Sequence, residues 1–281
     1  MSRQIDSIID LALDEDIGTG DITVASVIPE SARASGRMVL KSAGVISGLT
    51  VVERVCRRVD SGIEWRAHLT DGTSLPAGSF IGEISGPARS VLTAERTLLN
   101  FIQRLSGIAT LTRAYVDAIA GTQARIVDTR KTTPGMRVLE KQAVRHGGGF
   151  NHRLGLFDGV MIKDNHIAAL GGDSAICDAV NHARRQIPHT IKIEVEVANL
   201  AQLNVALESG AEIIMLDNME LDEMRQAVTI TGDRTLLEAS GGVSLSRVRE
   251  IAETGVDLIS VGALTHSAPA LDISLDFRIS H

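Results

Sequence analysis

The residues best suited to chemistry sit directly after short apolar runs. The run 124–127 leads into Asp128, Thr129, Arg130 and Lys131, and the run 159–162 leads into Lys163, Asp164, Asn165 and His166. The run 191–195 ends at Glu196, 212–216 ends at Asp217 and Asn218, 235–237 leads to Ser240, Gly241 and Gly242, and 258–261 leads to Gly262. His152 and Arg153 follow the glycines at 147–149. Guanidinium groups grip carboxylate or phosphate bidentately and lysine adds a point charge, so the set Arg130, Lys131, His152, Arg153 and Lys163 suits a highly anionic ligand. A Ser-Gly-Gly segment placed before a helix can cradle a phosphate with backbone amides, and Gly262 with Ala263 is placed to complete it. An ordinary helix cap with turn glycines explains that segment equally well. Glu196 and Asp217 suit magnesium-bound polyphosphate or ribose hydroxyls, and the plainer alternative pairs them with a nearby lysine.

These groups need a scaffold that brings strand ends together. From residue 121 onward apolar runs alternate with helical spacing over 136–146, 174–185, 200–209, 222–231 and 244–254, which predicts a parallel sheet. So many repeats without a dinucleotide fingerprint favour a barrel, in which every strand's carboxyl end lies on one rim. Before this, residues 34–87 read as a small antiparallel sheet with turns at Gly72, Gly78, Gly82 and Gly86. Residues 91–119 carry a helical stripe of Leu98, Leu99, Ile102, Leu105 and Ile108, broken at Ser106 and Gly107 and therefore expected as two helices. Ile5, Ile8, Ile9, Ala12 and Leu13 predict an amphipathic N-terminal helix.

Composition narrows the function. The chain has 281 residues, 44% hydrophobic and 22% charged, with net charge −7 and 2% aromatic residues, which argues against nucleic-acid binding. The N-terminus lacks the features of a signal or transit peptide, and no apolar run reaches the roughly 18 residues of a membrane span. Cys56 and Cys177 match no metal or redox spacing and read as reduced thiols, so a soluble, cytoplasmic protein is expected. There is no HExxH, Ser-His-Asp or Walker signal. Arg137, Lys141 and Arg145 recur every four residues and read as a solvated helix face, while His68, His182 and His189 read as surface or core residues.

Longer segments resemble a known family. DTRKTTPG (Asp128 to Gly135), GGGFNHRLGLFDGVMIKDNHI (Gly147 to Ile167), IEVEV, MLDN, ASGGV and VGALTHS are similar to segments of quinolinate phosphoribosyltransferases. EDIGTGDIT and ERTLLNFIQRLSGIAT, nearer the N-terminus, match too, although the first also reads as a capped turn closing the N-terminal helix. The resemblance spans nearly the whole chain. It implies an α/β fold: an N-terminal α/β sandwich with linking helices (1–110), an incompletely closed α/β barrel carrying the active site (111–265), and a C-terminal segment (266–281) returning to the first domain. It implies transfer of phosphoribosyl from phosphoribosyl pyrophosphate to quinolinate with decarboxylation, magnesium as cofactor, and a homodimer or higher homo-oligomer with shared sites. Arg96 would then reach a neighbouring subunit's site, and Arg130, His152, Arg153 and Lys163 would hold the quinolinate carboxylates. Thr129 would join substrate binding, Lys131 would contact the donor, Glu196 and Asp217 its ribose and the metal, and Ser240, Gly241 and Gly242 with Val261, Gly262 and Ala263 its 5′-phosphate, beside His266. Lys131, Glu196 and Asp217 are the implied catalytic groups.

Three rivals remain at this point. A paralogous phosphoribosyltransferase, nicotinate-using or associated with molybdate transport, would share the fold, but nicotinate's single carboxylate leaves the cations over-supplied. A barrel lyase would need Lys163 as a Schiff-base amine of lowered pKa. A non-catalytic anion binder would have no need of Glu196 and Asp217.

Overall fold

The computed structural model describes residues 2–172 and 175–280, in two compact units. The first comprises Met1–Arg113, Thr132–Gly148 and Leu264–His281, and the second Ala114–Lys131 and Gly149–Ala263.

In the first unit, α1 (Ser2–Ile17) buries Ile5, Ile9 and Leu13 at four-residue spacing. Its acidic face pairs Asp6 with Arg54 and Asp10 with Arg58 on α3 (Leu49–Val59). The segment EDIGTGDIT ends α1 and starts α2 (Ile22–Val27). Gly18 turns at φ 52°, and Asp21 caps α2 by accepting from the Val24 amide at 2.9 Å. This is the capped turn that its composition suggests.

Strands β1 (Arg33–Leu40), β3 (Glu64–Ala67), β5 (Phe80–Pro87) and β12 (Ile273–Ser280) form an antiparallel sheet in the order β12-β1-β5-β3. A separate ribbon pairs β2 (Gly44–Val45) with β4 (Ser74–Leu75). Gly82 and Gly86 lie inside β5 rather than in turns. At Gly82 an added Cβ would stand 2.6 Å from the Arg66 carbonyl oxygen, so the strand itself needs glycine there.

Residues 88–118 form one helix, α4 (Ala88–Ala118), and not two. The two residues that suggest a break serve packing instead. Ser106 Oγ accepts the Ser47 amide at 3.0 Å and donates to the Ser47 carbonyl at 3.2 Å, and Gly107 lies so close to Pro269 that a Cβ would fall 2.0 Å from its carbonyl oxygen. Ser106 is fully buried, so Ser106→Ala strands the Ser47 groups and costs about 1–3 kcal/mol. Chemical denaturation is expected to show a lower midpoint at unchanged slope; an unshifted midpoint would refute this role for the hydroxyl.

Helix α5 (Arg137–His146) groups with the first unit although it follows the first barrel strand in sequence. Its basic stripe is not simply a solvated face, because Lys141 is only 3% exposed while Arg145 is exposed. Glu140 beside it is fully buried and accepts from Arg104 and from the Thr133 hydroxyl and amide, so this helix is clamped where a free surface helix would be wet.

The second unit carries β6 (Arg125–Val127), β7 (Val160–Ile162), β8 (Ile193–Val197), β9 (Ile213–Asp217), β10 (Leu236–Ser240) and β11 (Leu258–Ser260) in a parallel sheet ordered β6-β11-β10-β9-β8-β7. The first strand lies beside the last, which is the cyclic order of a barrel cut open between β6 and β7. At the seam, Phe150 forms a parallel bridge with Val127, its amide donating to Ile126 and its carbonyl accepting from Asp128. Between the strands run α6 (Asp164–Ala169), α7 (Ile176–Gln186), α8 (Leu200–Glu208), α9 (Leu221–Thr231) and α10 (Val248–Ala252), and α11 (Ala263–His266) follows β11, with residues from Leu264 onward in the first unit. The expected start of α7 at Ser174 lies outside the described residues.

Candidate active site

Inward-facing positions alternate along each barrel strand. At the carboxyl ends this puts Lys163, Glu196, Asp217 and Ser240 on one rim, with Thr129, Arg130 and Lys131 following β6. Together with His152, Arg153, Gly241 and Gly242 they line a cavity of about 630 Å³. The other residues drawn from the family resemblance lie elsewhere. Arg96 is exposed on α4 and His266 is exposed on α11, and both belong to the first unit. Val261, Gly262 and Ala263 follow β11 without lining the cavity, and the Val261 amide donates to Val127, closing β11 against β6.

Local structure holds the cations in place. Asp128 is fully buried and accepts from the Asn151 side chain at 2.6 Å and the His152 amide at 2.9 Å, which fixes the start of the His152–Arg153 loop. Asp158 closes that loop by accepting the Leu154 and Gly155 amides. Arg153 donates to the Gly159 carbonyl at 3.0 Å, and burial followed by the neighbouring Arg130 charge pulls its pKa below the usual arginine value. A guanidinium whose charge is opposed by burial and by a second guanidinium favours an anion between the two. His166 Nδ1 accepts the Lys163 amide at 2.9 Å, anchoring Lys163 at the start of α6.

Lys163 Nζ is paired with Glu196, so the plainer expectation, a strand-end carboxylate matched by lysine, describes Glu196. A half-exposed lysine held by a carboxylate is not in the hydrophobic pocket that activates a Schiff-base amine. Asp217 accepts from Asn218 Nδ2 at 2.9 Å. Glu196 and Asp217 offer only carboxylate oxygens toward the cavity, a donor set that fits magnesium, which takes one or two carboxylates beside phosphate oxygens.

The Ser-Gly-Gly segment differs from expectation. No helix follows it at once, since α10 starts at Val248 and spans five residues. The segment is a backbone turn: Gly241 and Gly242 stand at φ 91° and 59°, the left-handed conformations from which anion-binding nests are built. Asn218, at φ 54°, is the one non-glycine residue with positive φ among the described residues, and its amide donates to the Ser240 carbonyl at 2.9 Å. Its side chain packs where a Gly241 Cβ would be, 2.1 Å from Asn218 Oδ1.

Sequence reasoning placed Asn218 at a strand end without giving it a role, and it missed Met161, Met215, Glu238 and Ser260 as lining residues and Glu194 below them. The period-two alternation of IEVEV already places Glu194 on the face of Glu196. Glu238 carried no such signal, because a lone acid within the run LLEAS is an ordinary strand residue.

Residues 21–106 match the quinolinate phosphoribosyl transferase N-terminal domain, and residues 108–276 match its C-terminal domain. The chain belongs to the quinolinate phosphoribosyltransferase family. It is 46% identical over 267 residues to the probable nicotinate-nucleotide pyrophosphorylase [carboxylating] of Bacillus subtilis, covering 95% of this chain and 91% of that protein. Quinolinate phosphoribosyltransferase [decarboxylating] 1b of Nicotiana tabacum is 42% identical, covering 95% of this chain and 81% of its own. The crystal structure of NadC from Streptococcus pyogenes superposes with a TM-score of 0.94 at 40% identity, covering 100% of this chain and 99% of that one. Human nicotinic acid phosphoribosyltransferase, at 14% identity and a TM-score of 0.60, shares the fold alone.

Proposed function

We propose that this chain transfers phosphoribosyl from phosphoribosyl pyrophosphate to quinolinate with decarboxylation, giving nicotinate mononucleotide for de novo NAD biosynthesis. The observation that carries this reading is the pairing, in one cavity, of mutually repelling Arg130 and Arg153 with the Gly241–Gly242 nest and the Glu196–Asp217 carboxylates. A dicarboxylate fits the first set and a phosphorylated ribose the second. Arg130, Arg153 and Lys163 bind and orient the acceptor, with His152 at the foot of the same cluster. Lys131 and Thr129 face the donor, and Ser240, Gly241 and Gly242 hold its 5′-phosphate. Glu196 and Asp217 hold the ribose hydroxyls and stabilise positive charge developing at the anomeric carbon as the pyridine nitrogen approaches. These residues act by positioning and electrostatics, so no protein nucleophile is required. Magnesium, held by Glu196 and Asp217 when bound, supplies charge neutralisation for the departing pyrophosphate.

The same reading includes a homodimer or higher homo-oligomer in which exposed Arg96 of one copy serves the other's cavity. Exposed Leu156 and Phe157 on the Arg153 loop, 74% and 77% accessible, support a covering partner. A cytoplasmic setting agrees with two unpaired cysteines, of which Cys56 has its thiol pushed up to about 12 by burial and is unreactive. No helix among the described residues is long and apolar enough to cross a membrane.

The test is acceptor choice. Purified protein with donor and magnesium is expected to use quinolinate at least about 100-fold better than nicotinate in kcat/KM, since a missing carboxylate leaves the half-buried cations unmatched. Equal use of both acids, or preference for nicotinate, would transfer the chain to the paralogous reading.

A further inference from the structure

Beneath the rim, the barrel interior is polar where a closed barrel is ordinarily filled by branched apolar side chains. The inward positions one pleat below Lys163, Glu196, Asp217 and Ser240 are Met161, Glu194, Met215 and Glu238, with Ser260 from β11. Glu238 is fully buried, and neither of its carboxyl oxygens has a hydrogen-bond partner. His152 Nε2 stands 3.0 Å from Glu194 and 3.5 Å from Glu238. The three ligand atoms lie within 4.8 Å, a spacing that a metal could use. The tautomer decides against it: His152 Nδ1 accepts the Arg153 amide at 2.7 Å, so the ring proton is on Nε2, where a metal would need the lone pair. This cluster holds protons.

Glu238 faces Glu194 from β8, Lys163 from the residue after β7 and His152 from the loop between α5 and β7, while Met215 and Ser260 add no charge. Burial, and after it the Glu194 charge, raise its pKa to about 7, against the lowering effect of His152, the nearby Ser260 hydroxyl and Lys163. Two carboxylates buried side by side cannot both ionise cheaply, so Glu238 stays protonated below neutrality. A second cavity, of about 420 Å³, lies below. Its inner end is Glu194, Glu238 and His152, and its outer end is exposed Arg125, Thr190 and Lys192 at the amino ends of the strands. Glu238 therefore lines both the substrate cavity and a solvent-facing one.

We propose that Glu238 is the acid that protonates the pyridine carbon vacated by carbon dioxide, and that the lower cavity resupplies it with protons from solvent. This rests on the phosphoribosyl-transfer reading of the upper cavity. The bond between the ring carbon and its carboxylate breaks, the electron pair stays on the carbon beside the quaternary nitrogen, and carbon dioxide leaves. The Glu238 O–H proton moves onto that pair to form C–H, and the resulting carboxylate takes a proton back from water entering below. Carbon dioxide still in the site recombines with the carbanion until the carbon is protonated, so an acid already in place commits the reaction.

The experiment is a rapid-quench single turnover of wild type and Glu238→Gln with carboxyl-labelled quinolinate, donor and magnesium. Pyrophosphate formation is expected to stay within about threefold of wild type, while carbon dioxide release and nicotinate mononucleotide formation fall about 100-fold and the N-ribosylated dicarboxylate accumulates. In wild type, product formation declines as pH rises past neutrality and pyrophosphate formation does not; Glu238→Asp retains that divergence. Equal slowing of both steps in Glu238→Gln, or no slowing of either, would overturn the assignment. Should the glutamine variant not fold, identical pH dependence of the two steps in wild type and Glu238→Asp would overturn it equally. A wild-type protein that forms neither product refutes the underlying reading instead.

Discussion

Arg130→Ala is expected to lower kcat/KM for quinolinate by about 10³-fold while leaving thermal stability unchanged or slightly raised. Removing one partner of a desolvated, hydrogen-bonded charge pair costs about 4 kcal/mol, which is about three orders of magnitude in binding or rate. The expected absence of a stability penalty follows from the same geometry. Burial and, after it, the Arg130 charge lower the pKa of Arg153, so the two like charges oppose folding when no anion lies between them and deleting one relieves the other. Calorimetric titration with quinolinate and a thermal melt on the same sample check both halves. Near-normal quinolinate affinity would contradict the assignment of the cationic pair, and a large loss of stability would mean that Arg130 serves the fold more than the ligand.

Gly241→Ala strikes the other half of the cavity, and its expected effect is about 10²–10³-fold on kcat/KM for phosphoribosyl pyrophosphate. At φ 91° a side chain costs about 1–2 kcal/mol by itself. The larger effect is the collision with Asn218, whose Oδ1 and Cγ lie 2.1 and 2.4 Å from the new Cβ. Asn218 cannot yield quietly, because its amide is bonded to Ser240 and its side chain to Asp217. One methyl group therefore displaces the phosphate nest and the Asp217 carboxylate together. Steady-state kinetics in each substrate separate the outcomes: the donor parameters collapse while binary quinolinate binding persists. An alanine variant with an ordinary KM for the donor would show that the nest does not hold its phosphate.

Much of this arrangement was legible in the sequence because barrels place function at strand ends. Six apolar runs each finished in polar or glycine residues, and the observed strands fall on those runs. What moved was their length: Glu196 lies within β8, and Asp217 and Ser240 are the last residues of β9 and β10, because the inward face of these strands is polar and pairing continues through it. Sequence punctuation misled in two places. Ser106 and Gly107 suggest a break, yet they mark close packing inside the continuous α4, and the glycines at 241 and 242 suggest a helix start but form a free-standing nest. Lys141 shows the limit of periodicity, since a four-residue basic repeat defines a face without saying what covers it. Glu194 and Glu238 were the least legible, because their meaning depends on His152 and on each other across the barrel, a relation that no single strand carries.

The measurement that bears most directly on the central reading is the stoichiometry of carbon dioxide and pyrophosphate released from carboxyl-labelled quinolinate by the wild-type protein. The expected result is one carbon dioxide per pyrophosphate, with both requiring phosphoribosyl pyrophosphate and magnesium. Pyrophosphate without carbon dioxide, or no release from quinolinate while another acid is consumed, would contradict it.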